Sequence, residues 1–186
     1  LSLILNTNKC GSTTVASTIM IADMVGIKVF ATGGIGGVHR DSNYTYDISS
    51  DLNQLDKTNM TIICSGAKSI LDISKTHEML ETLGITRIGY KTKKVPCFWS
   101  EKTNLDVDLK INNIKELINI VDNRKKLKQK NSLLIYNPVQ KKYSINNTKV
   151  EKWIKLAEKK AKKSKVVGKD LTPYLLKEIS TLSKGL

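Results

Sequence analysis

The chain has 186 residues, 40% of them hydrophobic, enough for one core and too few for two full-sized domains. No apolar run reaches the length of a membrane span, so a membrane-embedded role is not expected. A net charge of +14 raises the question of nucleic acid, but 28 of the 31 basic residues are Lys and three are Arg (Arg40, Arg87, Arg124). Phosphate clamps and base readout favour Arg, and the surplus falls in residues 94–186, which carry +13 of the total. Abundant Lys and Asn fit codon bias spread over solvated surface, and a nucleic-acid partner is not expected.

Three cysteines, Cys10, Cys64 and Cys97, form no CxxC pair. This argues against a disulfide framework or a zinc site and for a reducing setting. An intracellular protein is expected, in the cytoplasm or an organelle. The chain begins at Leu1 with no signal-peptide pattern, so a fragment is expected.

In chain order, Leu1–Leu5 could close a helix begun upstream. Thr14 offers an N-cap to a helix over Val15–Val25, dense in Ala, Met and Ile and expected to be buried on most sides, with Gly26 as its stop. Ile27–Ala31 reads as a buried strand and Thr32–Gly37 as the turn after it. Asp47–Leu55 could hold one or two helical turns. Met60–Cys64 is the next strand, Ala67–Leu83 the best helix of the first half, and Ile85–Tyr90 a third strand. Strand, helix, strand in this span implies a parallel pair joined by a crossover. Residues 91–108 are a connection.

Asn112–Leu127 is an amphipathic helix with a basic end, and Ser132–Tyr136 a short strand. Thr148–Lys163 is a helix with lysines on its outer face. Thr172-Pro173 opens a last helix ending at Gly185. Residues 123–131 are expected as a flexible loop. The expected architecture is one α/β domain over residues 1–186, an α/β/α sandwich around a mostly parallel sheet, incomplete at both ends.

Ligands of open α/β sheets sit at the carboxyl ends of strands. That edge would hold Thr32–Arg40 and Ser65–Lys68. The glycines Gly33, Gly34, Gly36 and Gly37 would let backbone N–H groups approach an anion, or else make a tight turn. His39 and Arg40 could pair with a phosphate, or His39 could have a backbone partner. Lys68, placed in the first turn of its expected helix, would sit at the positive end of the helix dipole, which favours the neutral, nucleophilic amine. The alternative is a lysine reaching solvent. Asp47 and Asp51, if helical, share a face that suits a hydrated divalent cation, or else serve as cap and surface acid.

These stretches together resemble the pseudouridine-5′-phosphate glycosidase family. The matching runs are Gly11–Thr18, Val29–Arg40, Asp47–Leu52, Cys64–Asp72, Asn137-Pro138 and Gly168–Leu176. The resemblance implies cleavage of a C–C glycosidic bond to uracil and ribose 5-phosphate, with a divalent metal, Mn2+, as cofactor. It implies Lys68 as the Schiff-base nucleophile and Asp47 as the metal ligand. It further implies that Ser49, Ser50 and Asp51 line the substrate and that Thr14 and Val15 touch it, beside Thr32, Gly33, Gly34, His39 and Arg40 on the phosphate side. A homotrimer is expected from the same resemblance. The family's general-acid glutamate and a phosphate-binding lysine lie upstream of the segment matching Leu1. Asp41 stands where a glycine is usual, and Ser50 and Ser65 where alanines are usual. The alternative function is a non-catalytic sugar-phosphate-binding or partner-binding remnant of the same fold.

Overall fold

The computed structural model describes residues 1–100 and 103–185. The expected connection over 91–108 therefore includes two residues outside the described set. After the short exposed helix α1 (Ser2–Leu5), the elements are α2 (Val15–Met24), β1 (Val29–Ala31), α3 (Ser42–Thr45), α4 (Ser50–Lys57), β2 (Thr61–Cys64), α5 (Ile73–Thr82) and β3 (Thr86–Tyr90). Then come β4 (Leu109–Ile111), α6 (Ile114–Lys126), β5 (Leu133–Tyr136), α7 (Asn147–Lys163) and α8 (Leu171–Ser183).

The five strands form one sheet in the order β1-β2-β5-β3-β4, and every pairing is parallel. The last strand in sequence thus lies at the centre, and all four of its residues are buried. This corrects the simple pairing expected of β2 with β3, because β5 separates them. β4, a three-residue edge strand, was not foreseen; Leu109-Lys110-Ile111 is too short for its alternation to stand out.

Alternation along each strand sorts the two faces. Ile62, Cys64, Leu134 and Tyr136 point into the larger core, with α2, α4, α5, α7 and α8. Ile88, Ile111, Leu133 and Ile135 point the other way, where Leu117, Ile120 and Val121 of α6 cover them. The α/β/α sandwich is therefore present with unequal layers.

Several elements depart from the sequence reading. α2 buries only Val15, Ile19 and Ala22, while Met24 is 77% exposed. One face packs against α4, and its apolar composition continues onto faces that none of the described residues cover. α5 begins at Ile73, not near Ala67, because the Asp72 side chain caps it by accepting from the Lys75 amide at 3.0 Å. α8 starts at Leu171 with Asp170 as N-cap, so Thr172 and Pro173 lie inside its first turn. The expected loop over 123–131 is helical as far as Lys126. Within it Arg124 is buried, and its Nη2 donates to the Asn131 carbonyl at 2.5 Å.

Arg87 on β3 is also buried. Its Nη2 donates to Asp108 Oδ1 at 2.6 Å, its Nη1 to the His77 carbonyl at 3.0 Å, and its own amide to Asp108 Oδ2 at 2.7 Å. Asp108→Ala would leave the buried guanidinium with only the exposed Glu81 carboxylate, 3.5 Å from its Nη2. Stability is expected to fall by about 3 kcal/mol in urea denaturation, and the double variant Arg87→Met, Asp108→Ala to lose less.

Candidate functional site

The site is built by backbone pairing that continues past the ends of β1 and β2. Ser65 donates its amide to the Gly33 carbonyl at 3.0 Å, Ile35 to Gly66 at 3.1 Å, Lys68 to Ile35 at 3.1 Å and Asp72 to Val38 at 2.9 Å. Ile35 and Ala67 form a parallel bridge. On the other side Val38 and Ile48 form an antiparallel bridge, with His39 donating to the Asp47 carbonyl at 3.0 Å and Ser49 to the Gly37 carbonyl at 2.9 Å. Residues 33–39 are thus the middle rung between 47–49 and 65–72. The ladder brings Lys68, His39 and Asp47 to one edge of the sheet.

Lys68 is half-buried in the loop before α5. It is not in a first helical turn, so the dipole argument made from its sequence position does not apply. Its place is set by the Ile35 carbonyl and by the turn in which Leu71 donates to the Lys68 carbonyl at 2.9 Å.

His39 is 8% exposed. Its Nε2 lies 3.2 Å from Thr172 Oγ1 and 3.8 Å from Asp47 Oδ2. Burial pulls its pKa below the ordinary 6.5, the Asp47 carboxylate pulls it up, and the Lys68 ammonium pushes it down. The third of these effects records that Lys68 and His39 share one electrostatic environment.

Asp51 does different work from that expected. It is 4% exposed and lies in the first turn of α4. Oδ1 accepts from the Ala16 amide at 2.9 Å and Oδ2 from the Gly36 amide at 2.7 Å. It therefore ties the start of α2 and the glycine loop to α4. Asp47 precedes that helix, so the shared helical face of the two aspartates does not exist. A Cβ on Gly36 would come within 2.8 Å of Asp51 Oδ2, so this glycine is required by close approach.

The glycine loop spends several of its amides inside the protein. Ile35 gives its N–H to Gly66, Gly36 to Asp51, and Val38 to Thr76 Oγ1 at 2.9 Å. Thr32 Oγ1 lies 3.4 Å from the Gly34 carbonyl. Gly33 is exposed beside the half-exposed Phe98 ring.

Arg40 is engaged rather than open to an anion. Its Nη1 and Nη2 donate to Glu151 Oε2 at 2.9 Å and Oε1 at 2.7 Å, its Nη2 also to the Ser69 carbonyl at 3.0 Å, and its Nε lies 3.7 Å from Glu158. The fork raises the Arg40 pKa and lowers that of Glu151.

Ser49 caps α4, its Oγ accepting from the Asp51 amide at 3.2 Å, and Ser50 is exposed at the helix start. Thr14 occupies the N-cap position of α2 without a side-chain cap bond, and Val15 is buried. Thr172, Glu151 and Ser69 were missed by sequence reasoning. No local pattern links residue 172 to 39 or 151 to 40; only the topology does.

A cavity of about 630 Å3 opens beside the ladder, lined by His39 and Asp47 on one side and Glu158, Lys162, Lys165 and Leu171 on the other. Lys68 does not line it. The cavity thus neighbours the ladder edge that holds Lys68. Among the described residues no three His, Cys, Asp or Glu side chains gather as a metal cage. A single carboxylate, Asp47, fits only a hard cation that keeps most of its waters.

The fold and site define a class: a parallel α/β protein with a lysine held at the strand-end edge beside a buried imidazole and a carboxylate. The chain belongs to the indigoidine synthase A-like family, whose profile matches residues 1–186. It is 46% identical over 174 residues to a pseudouridine-5′-phosphate glycosidase of Petrotoga mobilis, covering 94% of this chain and 57% of that protein. It is 44% identical to the protein of the same name from Brachyspira hyodysenteriae, covering 100% of this chain and 60% of that protein. The chain therefore spans less than two thirds of the curated relatives it matches. Among solved structures, a prealnumycin C-glycosynthase in complex with ribulose 5-phosphate superposes with a TM-score of 0.87 at 37% identity, covering 94% of this chain and 58% of that one. An indigoidine synthase A-like protein from Thermotoga maritima superposes with a TM-score of 0.89 at 34% identity, covering 99% of this chain and 60% of that one.

Two predictions follow from this geometry. Asp51→Ala orphans the buried Gly36 amide and the part-buried Ala16 amide and is expected to lower stability by about 2–4 kcal/mol in urea denaturation, with Asp51→Asn losing less. His39 and His77 both have pKa values lowered by burial, His77 further by Arg87. The unfolded chain then takes up protons first as pH falls through 6.5. Stability is complete above that value and declines below it. The urea midpoint is expected to drop between about pH 7.5 and pH 5.5, and His39→Gln with His77→Gln to flatten that drop.

Proposed function

We propose that the chain carries the nucleophile half of a pseudouridine-5′-phosphate glycosidase site, with Lys68 attacking C1′ of the sugar. The observation that supports this best is the backbone ladder that holds Lys68, His39 and Asp47 at one edge. The names of the curated relatives, and the ribulose 5-phosphate bound by the C-glycosynthase neighbour, point to a phosphorylated five-carbon sugar as substrate.

In this reading the Lys68 Nζ lone pair forms a bond to C1′ as the C1′–O4′ bond breaks and opens the ring, the proton lost from the nitrogen passing to O4′. Protonation of uracil at C5 then lets the C1′–C5 bond break, its electrons passing to the base, while the nitrogen lone pair forms the C1′=N imine. Water hydrolyses the imine, releasing ribose 5-phosphate and the free amine. An imine route provides the electron sink that a carbon leaving group needs, which a simple oxocarbenium route does not. In the family that the chain resembles, the C5 proton is assigned to a glutamate upstream of the segment matching Leu1.

Asp47 is the residue that would hold a hydrated divalent cation, Mn2+ by resemblance. Bound there, the ion would supply positive charge to substrate oxygens. Thr32, Gly33 and Gly34 remain the residues proposed for the phosphate side, and Ser49 and Ser50 for contacts beside Asp47. Arg40 and Asp51 act through the residues they position. A homotrimer in the cytoplasm belongs to the same proposal. No helix among the described residues is long and apolar enough to cross a membrane.

Borohydride reduction in the presence of ribose 5-phosphate is expected to fix the sugar on Lys68, located by peptide mapping, and Lys68→Arg to abolish the adduct. Where the full activity is assembled, that variant should lower turnover at least about a thousandfold. A folded chain that binds ribose 5-phosphate without forming the adduct would instead support the non-catalytic sugar-phosphate-binding reading.

A further inference from the structure

The loop that carries Lys68 is clamped from a second direction, by a turn that the function above does not use. Ser69, 1% exposed, donates its Oγ to the Cys97 carbonyl at 2.7 Å. Phe98 donates its amide to the Ser65 carbonyl at 2.9 Å. The turn between these contacts is closed by Cys97 and Ser100, which exchange amide bonds at 3.2 and 3.1 Å. Gly66 sits at φ 99°, and a Cβ there would collide with the Pro96 carbonyl. The residues on either side of Lys68 are therefore pinned to the same five-residue turn.

Phe98 itself has a φ of 56°. A bulky residue in the left-handed region is an outlier, held only where its surroundings over-determine it, and such residues cluster at functional sites. Its ring lies against the glycine loop, where a Cβ on Gly34 would come within 2.5 Å of Cδ2 and 2.6 Å of Cε2. One turn thus touches both strand-end loops, the glycine loop through the Phe98 ring and the lysine loop through Ser65, Gly66 and Ser69.

We propose that the Pro96–Ser100 turn is the clamp that sets the position of Lys68, with Ser69 and Phe98 as positioning residues. This rests on the Schiff-base reading of Lys68. Ser69 fixes the backbone one residue beyond the nucleophile through its hydroxyl, while the Phe98 amide fixes it three residues before and the Phe98 ring wedges the turn against the glycine loop that pairs with residues 65–72. The amine is thereby held relative to His39 and Asp47 without either clamp residue touching substrate. Small displacements of a reacting group cost large factors in rate while leaving binding contacts in place.

The test compares the unaltered chain with Ser69→Ala, Ser69→Thr and Phe98→Leu. Two readouts are used: amide hydrogen exchange over residues 65–72, and the rate of borohydride trapping with ribose 5-phosphate. Ser69→Ala and Phe98→Leu are expected to speed exchange at residues 66–71 and to slow maximal trapping by about tenfold or more, with the half-saturating sugar concentration nearly unchanged. Ser69→Thr keeps the hydroxyl and is expected to restore both. Unchanged exchange at 66–71 in both Ser69→Ala and Phe98→Leu would overturn the clamp, as would normal trapping in both. If the unaltered chain forms no adduct while exchange still responds, the clamp stands and the Schiff-base reading fails.

Discussion

The structure depends on one constraint: the glycine loop runs between two other chain segments with no room for side chains at its tightest points. Once residues 33–39 are held by 65–72 on one flank and 47–49 on the other, Lys68, His39 and Asp47 have fixed relative positions. Asp51 reinforces this from beneath, giving one carboxylate oxygen to the loop and the other to the start of α2. A buried carboxylate is tolerable here because both oxygens are satisfied by backbone amides, one of them near a helix N-terminus. The same close approach requires glycine at 36, since a Cβ there would collide with Ser49 Oγ and lie 2.8 Å from Asp51 Oδ2.

Much of the secondary structure was legible because it follows from local chemistry. The amphipathic spacing of α7 marks Val150, Trp153, Ile154, Ala157 and Ala161 as its core face; Trp153 packs half-buried against the core and the other four are buried. The left-handed Gly26 ends α2 where expected. What was not legible arises from pairings distant in sequence. Nothing in Ser132–Tyr136 says that it enters between β2 and β3, although its continuous apolar run suits a strand buried on both faces. The late start of α5 shows a local misreading: Ile70 and Leu71 fit the helical period, but they are buried by the loop, and Asp72 is the better cap.

At the site, residue types were read more securely than their roles. Lys68, His39 and Asp47 do come together. Arg40 and Asp51, which the resemblance places beside the substrate, also hold the protein together. The difference is a matter of available partners. Arg40 finds Glu151, a residue 111 positions away on a helix whose composition suggested only a solvated lysine face. A charged side chain read from sequence alone looks free because its partner is elsewhere in the chain.

The three arginines extend this point to the question of charge. Arg40 joins the glycine loop to α7, Arg87 joins β3 to Asp108 and α5, and Arg124 joins the end of α6 to Asn131. Arg87 and Arg124 are buried, and Arg40 is half-buried. Each uses a planar fork to satisfy two or more acceptors, which a lysine ammonium cannot do in the same geometry. The lysines meanwhile fall mostly on exposed positions such as the outer face of α7. The chain thus divides its cations by chemistry, with arginine reserved for internal joints and lysine for solvent. Lys68 is half-buried, as are Lys75 and Lys94, and it differs from the surface lysines in that its backbone is fixed between the Ile35 carbonyl and the Leu71 amide.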